Sequence, residues 1–202
     1  MLEQQVSSSG IWKAESVEFQ GGTTYLIEAP SGKGKTSLLS VIFGIRKDYQ
    51  GNVYFEEENI SGFSPKQWSV VRKEKLSFIF QGLELFSELT ALDNIQLKNS
   101  ITHFKPESEI RDMADKLGIG SFLDRKAGIL SFGQQQRVAI IRALCQPFNF
   151  LLADECFSHI DQENSSIAYQ LILEECEAQG AGIILTSLNE NANLSAQNRM
   201  IL

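Results

Sequence analysis

Ala29-Pro30-Ser31-Gly32-Lys33-Gly34-Lys35-Thr36 stands between a short apolar stretch, Tyr25-Leu26-Ile27, and an apolar helical pattern at Leu38, Leu39, Val41 and Ile42. A strand that turns through glycines into a helix is the sequence form of a phosphate-binding loop. The glycines let the backbone curl so that successive N–H groups point inward at a triphosphate. Lys35 is placed to reach the β- and γ-phosphates, and the Thr36 hydroxyl to sit on Mg²⁺. The helix that follows aims its positive end at the anion. Ala29, Pro30, Ser31, Gly32, Lys33, Gly34, Lys35, Thr36 and Ser37 are therefore the candidate nucleotide-binding residues. One position departs from G-x-x-x-x-G-K-[ST]: the first glycine is Ala29. If that backbone is left-handed, alanine costs about 1–2 kcal/mol; if not, the change is nearly silent. The competing reading is a glycine-rich turn capping an ordinary helix.

The chain has 202 residues, enough for one full core and a small subdomain. A net charge of −7 and a pI near 4.9 argue against a nucleic-acid surface and against direct binding to an anionic leaflet. The three cysteines, Cys145, Cys156 and Cys176, lie far apart without metal or redox spacing, as expected of reduced cytosolic thiols. The first ten residues lack both a basic start and an apolar run, so no signal peptide is expected. No stretch approaches the roughly 20 apolar residues of a membrane span. Any membrane role is expected to come through a partner chain.

Alternation from Ile11 to Phe19 predicts a half-exposed strand, and Gly21-Gly22 a turn. Strands are expected at 23–28, 53–55, 76–80, 148–153 and 182–186. Helices are expected at 34–43, 65–73, 91–98, from Pro106, at 134–145 and at 163–178. Strands alternating with helices imply an α/β fold. The expected form is a P-loop NTPase core with a mainly parallel sheet and its ligand site at the carboxyl edge. A small N-terminal antiparallel β region and an inserted α-helical subdomain at about residues 82–130 complete a single domain spanning 1–202.

Phe150-Leu151-Leu152-Ala153-Asp154-Glu155 is an apolar strand ending in two carboxylates. Full burial explains the apolar run but not the paired acids. In a nucleotide enzyme Asp154 holds Mg²⁺ through water, and Glu155 polarises the attacking water. An acidic turn after a strand is the plainer alternative.

Leu130-Ser131-Phe132-Gly133-Gln134-Gln135-Gln136-Arg137 precedes that strand. Here the chain resembles the nucleotide-binding subunit of an ATP-binding cassette (ABC) transporter, whose signature reads L-S-G-G-Q. The likeness covers nearly the whole chain. It takes in the phosphate loop, the stretch from Phe80 to Ile95 with Gln81, the signature, L-L-A-D-E, and Ser158-His159-Ile160-Asp161. Around L-T-A-L-D-N-I and L-L-A-D-E it is most similar to the lipoprotein-release, macrolide-export and cell-division branch. The resemblance implies a head-to-tail homodimer or heterodimer that sandwiches two ATP molecules. Ser131, Gly133 and Gln134 then cover the γ-phosphate bound by the other subunit, and a hydroxyl with N–H groups at a helix start suits that anion. Gln81 is implied to contact Mg²⁺ or the water and to sense an integral-membrane permease subunit. Thr36, Gln81 and Asp154 form the implied metal set. Ser158 and Asp161 match the dimer-coupling loop, and Asp161 can also cap the next helix. A cytoplasmic protein, peripheral on the inner face of the membrane, is implied.

Besides Ala29, four features depart from the family. Ser187 stands where a histidine is expected to bond the γ-phosphate; losing one preorganised donor typically costs about 10²–10³ in rate. Phe132 replaces the first signature glycine and is tolerable if it points away from the nucleotide. Cys156 replaces a proline and reads as a buried small hydrophobe. The aromatic expected to stack on adenine has only Trp12 as an early candidate, several residues late, with Val6 nearer the place; Trp12 reads as core. His159 reads as a surface residue. No C-terminal regulatory domain is expected. The sequence thus points to an ATPase, with Glu155, Gln81 and Ser187 at its reacting centre. An ATP-gated dimerisation switch with little turnover is the alternative, and a small-molecule kinase a third reading. ATP is the expected nucleotide, with GTP left open.

Overall fold

A computed structural model describes Ile11, residues 14–187 and residues 196–202. Its centre is a five-stranded sheet of β1 (Thr24–Glu28), β4 (Leu76–Ile79), β5 (Phe150–Asp154), β6 (Gly182–Ser187) and β7 (Asn198–Ile201), in the order β4-β5-β6-β1-β7. Every ladder in it is parallel. The helices are α1 (Lys35–Ile42), α2 (Pro65–Glu74), α3 (Ala91–Thr102), α4 (Glu107–Lys116), α5 (Phe132–Leu144) and α6 (Gln162–Gln179).

The strand sequences are apolar on both faces because both faces are covered. Leu26, Ile79, Leu151, Ala153, Ile183 and Leu185 pack into one core with residues of α3 to α6. Their neighbours Tyr25, Ile27, Phe78, Leu152 and Ile184 point the other way, into a second core with Leu38 and Leu39 of α1 and Trp68 and Val71 of α2. Alternate residues of a strand face opposite sides, so β1, β4, β5 and β6 each feed both cores. Between the adjacent strands β4 and β5 the chain runs through α3, α4 and α5. Helix starts follow their caps. Ser64 with Gln67, Thr90 with Asp93 and Ser131 with Gln134 each form a reciprocal capping box.

The mainly parallel α/β architecture is as the sequence predicts. The antiparallel element is the hairpin of β2 (Tyr54–Phe55) and β3 (Glu58–Asn59). The strand expected from Ile11 to Phe19 is corrected: residues 14–20 are a bend and unpaired chain. β1 is already flanked by β6 and β7, so the segment leading into it has no free edge there. Phe19 instead packs edge-on against Tyr25, whose hydroxyl accepts the Gln20 N–H at 2.8 Å. Strand β7 was not legible, because Asn198-Arg199-Met200-Ile201 is short, largely exposed and without alternation.

Candidate nucleotide site

Four strand ends bring the candidate residues together. β1 runs into Ala29, β4 through Phe80 into Gln81, β5 ends at Asp154 with Glu155 next, and β6 ends at Ser187. Register aligns them: Ile79 lies opposite Ala153, Asp154 opposite Thr186, and Glu28 opposite Ser187.

In the loop, Gly32 (φ 76°) and Gly34 (φ 99°) take the left-handed backbone that glycine adopts without strain. Ala29 is not among the residues with positive φ. Its methyl is buried in the core of Tyr25, Ile27 and Leu39, and its N–H reaches the Ser187 carbonyl at 3.4 Å. The alanine is therefore the silent replacement of the two possibilities. The start of α1 has no side-chain cap, so its first N–H groups are left for an anion. Pro30, Ser31, Gly32, Lys33 and Thr36 line the exposed side of the loop. The Ser37 hydroxyl accepts from Arg46 at 2.7 Å, and Arg46 is itself held by both carboxylate oxygens of Asp48.

Lys35 is buried. Its ammonium donates to the carbonyls of Ala29 (2.5 Å) and Pro30 (3.2 Å) and lies 3.3 Å from Glu155 Oε1. The other carboxylate oxygen of Glu155 accepts from the Gln81 amide at 3.0 Å. Asp154 is buried, and its Oδ1 accepts from the Thr186 hydroxyl at 2.6 Å. Lys35 and Gln81 thus meet at Glu155, and Asp154 joins them through Thr186, whose hydroxyl also accepts the Glu155 N–H.

Among the described residues no cluster of three or more His, Cys, Asp or Glu side chains could hold a metal by itself. The donors present are one carboxylate (Asp154), one hydroxyl (Thr36) and the oxygen of Gln81, whose nitrogen is engaged by Glu155. Hard oxygen donors with few carboxylates suit Mg²⁺ completed by phosphate oxygens, so the set fits that ion.

The signature residues lie at the start of α5. Ser131 and Gln134 bond each other, and Gly133 packs so closely on the loop before α6 that a Cβ there would meet the His159 carbonyl oxygen at 2.9 Å. Phe132 is partly exposed and sits edge-on to the His159 ring at 4.4 Å, and the Ser158 hydroxyl lies 2.8 Å from His159 Nδ1. Phe132 thus leans on His159, which sequence reading left as an isolated surface residue. Asp161 caps α6 by accepting from the Asn164 N–H at 3.0 Å; that bond and the Asn164 amide hold its carboxyl below the usual range. None of these hydrogen bonds joins Ser131, Gly133 or Gln134 to the phosphate loop. Cys156 is buried, which pushes its thiol up. Trp12 and Val6 lie outside the described residues.

Sequence reading missed three contributors. Thr186 ties Asp154 to Glu155, the Gln136 amide reaches the Glu155 carbonyl, and Arg142 donates to the carbonyls of Leu83 and Glu84 just after Gln81. Only long-range pairing reveals them.

A phosphate loop at the carboxyl edge of a parallel sheet, with a buried Asp-Glu pair beside its lysine, defines a P-loop nucleotide-binding protein. The family model described as ABC transporter matches residues 13–158. The lipoprotein-releasing system ATP-binding protein LolD of Syntrophotalea carbinolica is 32% identical over 183 residues, 89% of this chain and 80% of that protein. Two solved structures of the bacterial ABC transporter cassette MJ0796 are similar, each covering 92% of this chain and 83% of theirs. One is dimeric (TM-score 0.84, 26% identity). The other is a dimeric post-hydrolysis state bound to ADP and Pi (TM-score 0.82, 27% identity). The chain belongs to the ABC transporter family, as its ATP-binding, P-loop ATPase subunit.

Proposed function

We propose that this chain binds Mg·ATP on residues Ala29 to Ser37 and closes head-to-tail with a second ATP-binding subunit. Hydrolysis there drives a membrane permease at the cytoplasmic face. The convergence of Lys35 and Gln81 on Glu155 carries the reading, because a carboxylate held between a lysine and an amide at a phosphate loop is placed to act on water. Lys35 binds the β- and γ-phosphates, and the N–H groups of the loop orient them. Thr36, Gln81 and Asp154 hold Mg²⁺, which when bound neutralises charge on the phosphate oxygens. Glu155 orients a water and takes up its proton as the oxygen bonds the γ-phosphorus and the bridging P–O bond breaks, leaving ADP and phosphate. Ser131, Gly133 and Gln134 of each subunit cover the nucleotide on the other, and Ser187 faces it in place of an imidazole.

The whole chain is read as one domain, with residues 82–130 as its helical subdomain. The permease is assigned to a groove of about 300 Å³ between α2 and α3, lined by Arg72, Lys73, Lys98 and Ile101 among others. Burial, then the nearby charges of Arg142 and Arg72, hold Lys98 below the usual lysine range. An acidic or carbonyl-rich segment therefore suits this groove. Arg142 connects it to the loop after Gln81.

The test is phosphate release from Mg·ATP. Wild-type protein should turn over slowly and Glu155→Gln not at all; equal rates would count against the reading.

A further inference from the structure

Glu155 is held by its backbone as well as by its carboxylate. Its φ is 49°, in the left-handed region that residues with a side chain rarely adopt. Such a conformation persists only where the surroundings impose it. Two buried side chains from different elements do so. On β6, Thr186 Oγ1 accepts the Glu155 N–H at 3.2 Å and donates its own proton to Asp154 Oδ1 at 2.6 Å. On α5, Gln136 Nε2 donates to the Glu155 carbonyl at 3.4 Å, which also accepts the Ser158 N–H at 3.2 Å. The peptide groups on both sides of the Glu155 Cα are thus pinned, which fixes the direction in which its side chain leaves.

The other end of Gln136 is informative. Its Oε1 is buried with no hydrogen-bond partner. Swapping the amide would set that oxygen against the Glu155 carbonyl, so the nitrogen belongs where it is. An orphaned buried acceptor carries a desolvation penalty that a methionine of similar shape would not incur. Stability alone does not favour an amide here; its N–H does.

We propose that Gln136 and Thr186 are positioning residues for hydrolysis, locking the backbone of Glu155 so that its carboxylate stands at Lys35 and Gln81. The proposal rests on the reading of Glu155 as the group that acts on water. Thr186 has a second task, since one hydroxyl couples the carboxylate assigned to the metal with the backbone of the carboxylate assigned to the water. A misplacement of about 1 Å at such a group costs about 10²-fold in rate.

The experiment is steady-state Mg·ATP hydrolysis by the full chain, with thermal unfolding of the same samples. Gln136→Met should lower kcat about 10- to 100-fold, leave KM within about twofold, and leave the unfolding midpoint unchanged or raised. Thr186→Val should lose kcat similarly, and Thr186→Ser, which keeps the hydroxyl, should recover most of it. Glu155→Gln runs alongside. Loss of turnover in Glu155→Gln with full kcat in Gln136→Met and Thr186→Val overturns the clamp alone. Full turnover in Glu155→Gln overturns the clamp together with the reading beneath it. A fall in kcat matched by a fall in the midpoint, without rescue by serine, assigns both residues to stability and likewise overturns the proposal.

Discussion

Lys35 and Glu155 form a buried ion pair, 3.3 Å between Nζ and Oε1, with side chains only 3% and 8% exposed. It joins the start of α1 to the end of β5, so two sequence motifs about 120 residues apart become one chemical unit. Solvent screens such a pair only weakly, and each charge depends on its partners.

Removing one partner therefore affects stability as well as turnover. Glu155→Gln removes the counter-charge of the Lys35 ammonium and leaves it only uncharged oxygen partners, the two loop carbonyls among them. Urea unfolding without nucleotide should show a loss of about 1–3 kcal/mol. Mg·ATP at about 100 times its Kd should restore about 2.7 kcal/mol, because it binds the folded state alone. An unchanged midpoint in the variant would show that the pair contributes nothing.

Ser187 tests motor against switch. It ends β6 opposite Glu28, beside the loop. Ser187→His restores a donor of the kind worth about 10²–10³ in rate. Turnover rising at least about 10-fold identifies a slowed motor. No gain with unchanged ATP binding favours the dimerisation switch, which the departures at Ala29, Phe132 and Ser187 motivate.

Phe132 and Gly133 are expected to respond oppositely. Phe132 is 44% exposed, so Phe132→Gly should change folding stability little apart from helix propensity, about 1 kcal/mol. On the proposed covering role of Ser131, Gly133 and Gln134, removal of the ring should give more dimer in sedimentation with Mg·ATP. Gly133→Ala drives a methyl against the His159 carbonyl oxygen, so dimer formation and turnover should both fall.

The fold was legible where one local rule decided it. The phosphate loop and the apolar strands each carry their own signal. Residues 14–20 misled because alternation states which side chains could be buried, not whether a neighbouring strand edge is free. Strand β7 was hidden because its pairing with β1 is decided by sheet order. At the site the loop, Asp154, Glu155 and Gln81 were readable as motifs. Thr186 and Gln136 were not, since their contacts span 31 and 19 positions and depend on how β6 and α5 pack beside β5.

The three thiols give a test of packing away from the site. Cys145, Cys156 and Cys176 are all buried. Burial pushes Cys145 and Cys176 from 9.0 up to about 12. Native protein at pH 8 should leave all three unreactive to a thiol-disulfide reagent, with three equivalents appearing in urea. The unfolded chain ionises these thiols from about pH 9 while the folded chain keeps them neutral, so stability is intact below pH 9. It should fall between about pH 9 and 12, by about 1.4 kcal/mol per pH unit for each thiol. Fast reaction of native protein would contradict this packing.

Calorimetric titration of the folded chain with ATP in the presence of magnesium tests the central claim most directly, beside Lys35→Ala. Saturable heat from the wild type, lost in the variant, is the predicted result. No heat from well-folded wild-type protein at high concentration, or equal heat from both, would contradict the assignment of residues 29–37 as the nucleotide's seat.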